Sequence, residues 1–357
     1  NSLVYRITHF SDSNVSTRLI NWEIGLTHWT DNPIFGVGHQ NYYVVADKHF
    51  NPDIYSLSDD WIDKPHNMFI EILVNQGLVG LILFLGLLLV VTRSIIKSKF
   101  STSTKTLFLA GLAAYSVQSF FIFETVSAMI TFFFFLALVV SYDLEKTQKS
   151  NSGRMPVVGV VVISIALLLL AYLPTTNYLL ALASASQSYT SNPQQALDQY
   201  QKASSQSFVF DLPELGERYK DFLLFDSTNN PQELQRHNEI FSDAVSVYEQ
   251  ALERHPMRTQ YWYGLSHIYL VHASSLNEPI DQAGIDAAQT ALELAPNRVE
   301  PLLTMALAHQ LAGEFDEATE LAEQAYSQAP EEASTLWTLS QIYLAQDRID
   351  EAAQLGY

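Results

Sequence analysis

Long apolar runs occupy the middle of the chain, and polar, charged sequence lies on both sides of them. Four runs are long enough to consider as membrane helices, at about 68–92, 106–123, 125–142 and 156–174. A helix needs about 20 apolar residues to cross a bilayer. The pattern therefore predicts a polytopic membrane segment of about four transmembrane helices within residues 68–174.

The first run begins with an amphipathic stretch instead of a uniformly apolar one. Residues 68–76 read MFIEILVNQ, and the purely apolar part begins at Leu78. One continuous helix over 68–92 would be about 37 Å long. Alternatively, the first part lies in the membrane interface and Gly77 allows a bend. The sequence leaves both arrangements open.

Basic residues indicate which side of the membrane each connection faces. Seven of them lie between the first and second runs or between the third and fourth: Arg93, Lys97, Lys99, Lys105, Lys146, Lys149 and Arg154. Loops rich in Lys and Arg stay in the cytoplasm. Residues 1–67 and 178–357 are therefore expected on the outer side, together with the connection near Glu124.

The C-terminal part of the chain repeats with a period of 34 residues. The unit over 299–332 is followed by a second unit that matches it in register until the chain ends. Ala318 is equivalent to Ala352, and Gly313 to Asp347. Small residues let paired helices approach closely, and the proline near the end of a unit stops its second helix. This is the tetratricopeptide pattern, whose repeats stack into a superhelix with a concave face.

Earlier units follow the pattern more loosely. Two second helices combine small residues with a closing proline: Ala244, Tyr248, Ala251 and Pro256 in one, and Ala288, Ala291 and Pro296 in the other. Their first helices are expected around Ala196, Tyr200 and Ala203, and around Trp262, Leu265 and Tyr269. The predicted fold class is all-α. About four transmembrane helices with an extracytoplasmic loop over 1–67 precede an α-solenoid of tetratricopeptide repeats over 178–357.

Charge separates these parts further. The chain has 357 residues and a formal net charge of -19, and residues 178–357 hold eight Lys and Arg against 26 Asp and Glu. Phosphate groups repel such a surface, so no nucleic-acid partner is expected. The sequence contains no cysteine, which excludes disulfides and thiolate chemistry. Because the N-terminus lacks a signal peptide and an initiator Met, we interpret the chain as an internal piece of a longer protein.

Several short motifs precede the first apolar run in a definite order. Arg18 and Trp22 form R-x-x-x-W, N-P-I-F-G-V-G-H-Q-N-Y follows, and H-N at 66–67 opens the run that contains N-Q-G-L-V-G. In this order, about residues 16–92 resemble the shared C-terminal region of the O-antigen ligase and polymerase family. The resemblance implies an integral membrane glycosyltransferase that uses polyprenyl-diphosphate glycans and needs no metal ion.

Two residues carry the chemistry that this resemblance implies. Arg18 would bind the diphosphate with its planar guanidinium; the alternative is an Arg that reaches lipid phosphates or pairs with Glu23. His66 would be the catalytic base that takes the proton from an acceptor hydroxyl, with inversion at the sugar's anomeric carbon. Asn67 is expected to cap the following helix and to help bind the substrate. The alternative for positions 66–67 is a capping pair without chemistry.

The glycine-containing turn between these residues is less informative. Gly36 and Gly38 permit a tight turn or a close approach of backbones. His39 and Asn41 are candidate substrate-binding residues that could hydrogen-bond sugar hydroxyls. Equally, they are ordinary polar residues of a loop.

Histidines are frequent before the first apolar run, which raises the question of a metal site. Five residues could gather in space: His28, His39, His49, Asp63 and His66. No pair of them has the spacing of ligands on one helix face, and no H-E-x-x-H motif occurs. We therefore expect neither a metal site nor another cofactor.

Taken together, these features predict an O-antigen ligase-like glycosyltransferase in the bacterial cytoplasmic membrane. It would move a glycan from a polyprenyl-diphosphate donor to a hydroxyl acceptor on the periplasmic or outer side, in cell-surface polysaccharide or glycoconjugate assembly. The sequence leaves the acceptor open between a lipid, a growing glycan as in a polymerase, and a protein Ser or Thr. Membrane lipid and a protein bound to the repeats are further expected partners. The alternative is a non-catalytic, membrane-anchored repeat scaffold.

Overall fold

A computed structural model describes residues 12–57, 61–123, 125–144, 176–206 and 212–355. The chain divides into two units, Asn1–Gly153 and Arg154–Tyr357. Both units are helical, and no strand occurs in the part of the chain that the structure describes. The all-α prediction is therefore confirmed.

The first unit has five α-helices over its described residues: α1 (Asp12–His28), α2 (Tyr42–Lys48), α3 (Met68–Lys97), α4 (Thr102–Phe121) and α5 (Val126–Leu144). Short 3-10 helices lie at Trp29–Asp31 and Pro52–Ser56. The helices α1 and α2 share an apolar core with the first turns of α3, formed by Ile24, Tyr42, Val45, Ala46, Ile70 and Val74. A second core joins the far end of α3 to α4 and α5, formed by Val91, Ile95, Leu112, Phe132 and Val139.

The long helix α3 is broken at Gly77, which has φ 67° and ψ −166°. Four backbone hydrogen bonds of 2.9–3.2 Å join the segment 33–38 to the broken turn: Val37 N to Val74 O, Gly38 N to Asn75 O, Leu78 N to Pro33 O, and Val79 N to Ile34 O. They satisfy backbone groups that the break leaves without helical partners. We call this arrangement the interlock. It confirms the bend at Gly77 that the sequence had left open.

Gly36 permits the close approach of backbones in the interlock. Its φ is 70°, and a Cβ atom at this position would lie 2.4 Å from Val74 O. Any other residue would push the segment 33–38 away from α3. Of the two roles that the sequence left open for this glycine, both are confirmed, because it makes the turn and brings the backbones together.

The part of α3 after Gly77 is suited to crossing a bilayer. It is about 30 Å long, which matches the hydrocarbon thickness. Within the described ranges, α3 is the one helix that is long and apolar enough to span a membrane. Leu83 and Leu89 are 68% and 69% exposed. Such a large exposed apolar surface is expected against lipid and not against water.

The prediction of about four transmembrane helices is supported for this helix alone. The sequence of α4 begins TSTKT and includes Gln118, so it is less apolar than a membrane span. In α5, a helix of 19 residues, the apolar stretch that the structure describes is Ser127–Val139, which by itself is shorter than the roughly 20 residues that a crossing requires. The fourth predicted run, 156–174, and the connection at Glu124 lie outside the described residues.

The second unit contains a series of paired helices. In its described residues these are α6 (176–188), α7 (Pro193–Gln206), α8 (Leu212–Asn229), α9 (Leu234–Arg254), α10 (Thr259–Leu276), α11 (Gln282–Leu294), α12 (Val299–Ala312), α13 (Phe315–Gln328), α14 (Ala333–Ala345) and α15 (Ile349–Gln354). From α7 onwards, each helix packs on its neighbours in the chain. Small alanines lie at the contacts, and Ala318 and Ala352 are at most 1% exposed.

The predicted equivalences between repeats hold in three dimensions. Gly313 and Asp347, which occupy equivalent positions, both end a first helix in the left-handed conformation, with φ 78° and 61°. Asn277 ends α10 in the same way, with φ 52°. Glycine, asparagine and aspartate are the residues that tolerate this conformation best. The turn residues therefore mark the repeat units as the sequence indicated.

The sequence assigned the wrong partner to α9. The helix around Tyr200, α7, was expected to pair with it, whereas α8 is its main partner. Leu215, Tyr219 and Phe222 on α8 are at most 1% exposed. This helix uses large side chains where later repeats use alanines, so the small-residue pattern does not reveal it.

Gly264→Ala is expected to destabilise the second unit (Arg154–Tyr357) by about 2 kcal/mol, because the added methyl group overfills a packed core. A Cβ atom at Gly264 would lie 2.4 Å from the ring of Tyr248, which is 1% exposed. Urea unfolding followed by circular dichroism measures the change. Gly313→Asn is the matched control, since no atom lies within 4 Å of a Cβ there and asparagine tolerates the left-handed turn. Equal effects of the two substitutions would contradict the close packing of Tyr248 against Gly264.

The second unit (Arg154–Tyr357) is expected to lose stability as the pH falls from 7.5 to 5. Burial first and the Lys220 charge second lower the pKa of His267, the Glu217 charge opposes them, and the resulting pKa is about 4. Burial also lowers the pKa of His237 and of His272. Below pH 6.5 the unfolded chain therefore binds protons that the folded chain does not, which favours unfolding.

For His267 alone, the loss between pH 7.5 and pH 5 amounts to about 2 kcal/mol. Urea midpoints of the wild-type protein and of His267→Gln at both pH values measure it. The variant is expected to lose less stability on acidification than the wild type. An identical pH dependence in the two proteins would refute the assignment to His267.

Candidate functional site

His66 lies directly before the cap of α3, and its backbone has an unusual conformation. His66 has φ 54°, a left-handed value that costs a residue other than glycine roughly 1–2 kcal/mol. Directly after it, Asn67 caps α3, with its Oδ1 accepting hydrogen bonds from Phe69 N at 3.0 Å and Ile70 N at 3.2 Å. The cap expected from the sequence is therefore confirmed. It holds the strained residue before the helix in a fixed position.

Arg18 on α1 contacts the end of α4. Its Nη1 donates a hydrogen bond to the carbonyl of Phe121 at 3.1 Å. One turn further along α1, the Trp22 indole donates to the carbonyl of Pro65 at 2.7 Å and packs edge-to-face on Phe120. The helix α1 is thus joined both to the residue before His66 and to the segment that follows α4.

The segment 121–123 brings three cationic or titratable side chains together. The rings of His66 and Phe123 are 5.1 Å apart, and Lys64 Nζ lies 4.5 Å from the centre of the Phe123 ring. Arg18 contacts Phe121 in the same segment. We call Arg18, Lys64 and His66 the basic cluster. Residues 48 positions apart in the chain therefore lie around the same short segment, 121–123.

Burial and the neighbouring charges favour the neutral form of the imidazole in this cluster. Burial lowers the pKa of His66, the Arg18 and Lys64 charges lower it further, and Asp63 opposes them. A neutral imidazole accepts a proton, whereas the two neighbouring cations attract an anion. The basic cluster thus combines a base with a site for negative charge.

A cavity of about 440 Å³ adjoins the basic cluster through Lys64. Its polar lining comes from the loop and the first turns of α3: His39, Gln40, Lys64, Glu71, Asn75 and Gln76. Its apolar lining includes Leu83, Phe84, Leu87, Tyr115, Met129, Phe132 and Phe133. Asn75 is 2% exposed, and its Oδ1 has no hydrogen-bond partner among the described residues. The shape and chemistry suit a molecule with a polar head and an apolar tail.

The other two predicted binding residues differ in their surroundings. His39 is exposed at the cavity and lies 3.5 Å from the Gln76 amide. The Asn41 side chain donates to the carbonyl of Val37 at 3.1 Å, within its own turn. His39 is therefore available to a ligand in the cavity, whereas the amide of Asn41 helps to hold the segment 33–38.

Sequence reasoning missed two features of this site. Lys64 is one, although it lies only two residues before His66 in K-P-H-N. Asn75 is the other, in the N-Q-G motif that was used only for the resemblance. The histidines do not converge on one point, because His39 lies at Gln76 and His66 at Phe123, whereas His28 and His49 stack on each other.

Comparisons with known proteins agree with the two parts of the chain. Residues 1–85 match the family model described as O-antigen ligase. Residues 232–298 and 309–355 match models of the tetratricopeptide repeat. These matches confirm the resemblance and the repeat array that the motifs indicated. No curated protein sequence matches the chain.

Proposed function

We propose that the chain transfers a glycan from a polyprenyl diphosphate to a hydroxyl acceptor at the outer surface of the bacterial cytoplasmic membrane. The observation that carries this proposal is the basic cluster. It combines a neutral imidazole and two cations at the start of a membrane-suited helix. The match of residues 1–85 to the O-antigen ligase family supports the same reaction class.

In the proposed reaction, the neutral imidazole of His66 takes the proton from the acceptor hydroxyl. The acceptor oxygen forms a bond to the anomeric carbon as the bond from that carbon to the diphosphate oxygen breaks. The electron pair stays on the diphosphate, where Arg18 and Lys64 stabilise the added negative charge. Attack opposite the leaving group inverts the anomeric centre. No step requires a metal ion.

The adjoining cavity supports a lipid-linked donor. Its apolar lining from α3, α4 and α5 would hold isoprenoid units, and its polar lining would contact the diphosphate and the first sugar. Lys64 belongs to both the cavity and the basic cluster. A diphosphate bound at Lys64 would therefore lie beside His66. Asn75 and His39 are further candidates for hydrogen bonds to the donor.

The repeats are proposed to bind a protein partner, either the acceptor or another protein of the assembly pathway. Their family matches and the strongly acidic charge of residues 178–357 support a partner with basic patches. A lipid acceptor would make the protein a ligase, a glycan acceptor a polymerase, and a Ser or Thr acceptor a protein glycosyltransferase.

Transfer by the purified full-length protein tests the proposal. A defined polyprenyl-diphosphate glycan is offered with a core-type glycolipid, a glycan chain end or a Ser/Thr peptide, each with and without EDTA. We expect one acceptor to be glycosylated with release of the polyprenyl diphosphate, and turnover to persist in EDTA. Folded protein that glycosylates none of the acceptors would overturn the function. Loss in EDTA that one added metal restores, in protein that stays folded throughout, would overturn the metal-free mechanism.

A further inference from the structure

Two histidines and an aspartate converge at the C-terminal end of α1, outside the set of residues assigned to glycan transfer. The ligand atoms of His28, Asp31 and His49 all lie within 4.8 Å of one another. His49 Nε2 is 3.5 Å from an Asp31 carboxylate oxygen. The imidazoles of His28 and His49 stack in parallel with ring centres 3.5 Å apart. The three side chains thus present nitrogen and oxygen donors to one point.

Hydrogen bonding does not account for this arrangement. The His49 Nε2 atom is buried and makes no hydrogen bond of good geometry in the described parts of the chain; the nearest carboxylate oxygen, on Asp31, is 3.5 Å away. A buried polar atom without a partner is uncommon in folded proteins and calls for a missing group. A bound cation beside Asp31 would supply that partner.

The backbone around the cluster favours positive charge. His28 is the last residue of the 17-residue helix α1, and His49 directly follows α2. Helix C-termini carry partial negative charge, which stabilises a nearby cation. Lys48 Nζ lies 3.8 Å from Asp31 and competes for this position. Its side chain is 62% exposed, so it can turn into solvent.

We infer that His28, Asp31 and His49 form a binding site for a divalent transition-metal ion of the Zn²⁺ class. Two imidazoles and one carboxylate are ligands that Zn²⁺ prefers, whereas Mg²⁺ and Ca²⁺ prefer oxygen ligands alone. Bonds of about 2.0–2.2 Å to Zn²⁺ place its ligand atoms roughly 3–3.5 Å apart, so small side-chain rotations close the site. Three protein ligands leave a fourth position for water.

The bound ion would join the end of α1, the 3-10 helix after it and the end of α2. It would stabilise the folded segment, because an ion that binds only the folded state raises the free energy of unfolding. It would take no part in glycan transfer. This inference departs from the expectation, based on sequence, that the chain holds no metal. The only local signal is His28 three residues before Asp31, whereas His49 joins them through the fold.

Equilibrium dialysis of the full-length, untagged protein against Zn²⁺ in excess Mg²⁺ tests the site. Mg²⁺ occupies exposed carboxylates, which are abundant in the acidic repeats. We expect one Zn²⁺ to bind each chain, and His49→Ala to weaken binding by roughly 100-fold or more, because it removes one of three ligands. Asp31→Asn is expected to weaken it less. The thermal midpoint of the wild type should rise with Zn²⁺ concentration.

His309→Ala is the matched control. His309 pairs with Glu314 at 2.6 Å, so it is a histidine beside a carboxylate that lacks the second histidine. This variant should bind Zn²⁺ as the wild type does. Equal binding by wild type, His49→Ala and His309→Ala, or no binding by any of them, would overturn the site.

A spectrum of the wild type with Co²⁺ keeps the test decisive if His49→Ala does not fold. Bound Co²⁺ with two imidazoles and a carboxylate in four-coordinate geometry gives strong visible absorption, whereas hydrated Co²⁺ absorbs weakly. We expect strong bands that one equivalent of Zn²⁺ abolishes. A spectrum of hydrated Co²⁺ alone would overturn the site. His28→Gln, whose side chain is partly exposed, supplies a second ligand variant and should lose the bands.

Discussion

His66→Asn is expected to lower the rate of glycan transfer by about 100- to 10,000-fold, the range that a general base contributes. Asparagine adopts the left-handed conformation that His66 holds at φ 54°, and its amide does not take up a proton. The substitution therefore removes the base without adding backbone strain. Turnover of a defined donor and acceptor measures the effect.

His66→Ala should lose as much activity and, because alanine is less tolerant of this backbone, a little stability as well. His255→Ala, an exposed histidine of the repeats, is the control and should keep full activity. If His66→Asn transferred glycan at nearly the wild-type rate, the base would lie elsewhere. Assembly that survives this change but fails when residues 178–357 are deleted would favour the scaffold.

Gly77→Ala is expected to destabilise the first unit by about 3 kcal/mol or more, since the position is open essentially to glycine alone. Its φ and ψ are 67° and −166°. A Cβ atom would lie 2.3 Å from Ile34 O and 2.6 Å from Phe35 N. Both contacts are to backbone, so neither can rotate away. The interlock would open, and its four hydrogen bonds would be lost.

Gly86→Ala in the same helix is the matched control. No atom lies within 4 Å of a Cβ at Gly86, and alanine favours a helix over glycine by about 1 kcal/mol. Unfolding of the detergent-solubilised protein by heat or denaturant should therefore show opposite effects of the two substitutions. Equal midpoints for Gly77→Ala and Gly86→Ala would contradict the interlock.

Features that depend on neighbouring residues could be predicted from the sequence. The cap at Asn67 needs only its own side chain and the next two or three amides. The left-handed turns at Gly313 and Asp347 follow from the repeat register and from which residues tolerate that conformation. The break at Gly77 was one of two alternatives, because a glycine in an apolar run permits a bend without requiring it.

Features that depend on distant segments left little trace in the sequence. The interlock joins 33–38 to 74–79 through backbone atoms, which every residue possesses, so only Gly36 and Gly77 hint at it. The family resemblance alone implied that Arg18 and His66 serve one reaction. In the structure, Arg18 contacts the Phe121 carbonyl and His66 contacts the Phe123 ring. Both phenylalanines lie in a stretch that the apolar pattern assigned to a membrane helix.

The most direct test of whether Arg18 and His66 act in one site is the pH dependence of kcat/KM for wild type and Arg18→Gln. The Arg18 charge lowers the His66 pKa, so its removal should raise that pKa and move the acid limb to higher pH. Arg254→Gln in the repeats serves as the control. A slower Arg18→Gln enzyme with a shifted acid limb is the predicted result. An acid limb at the wild-type pH would contradict a common site for the guanidinium and the imidazole.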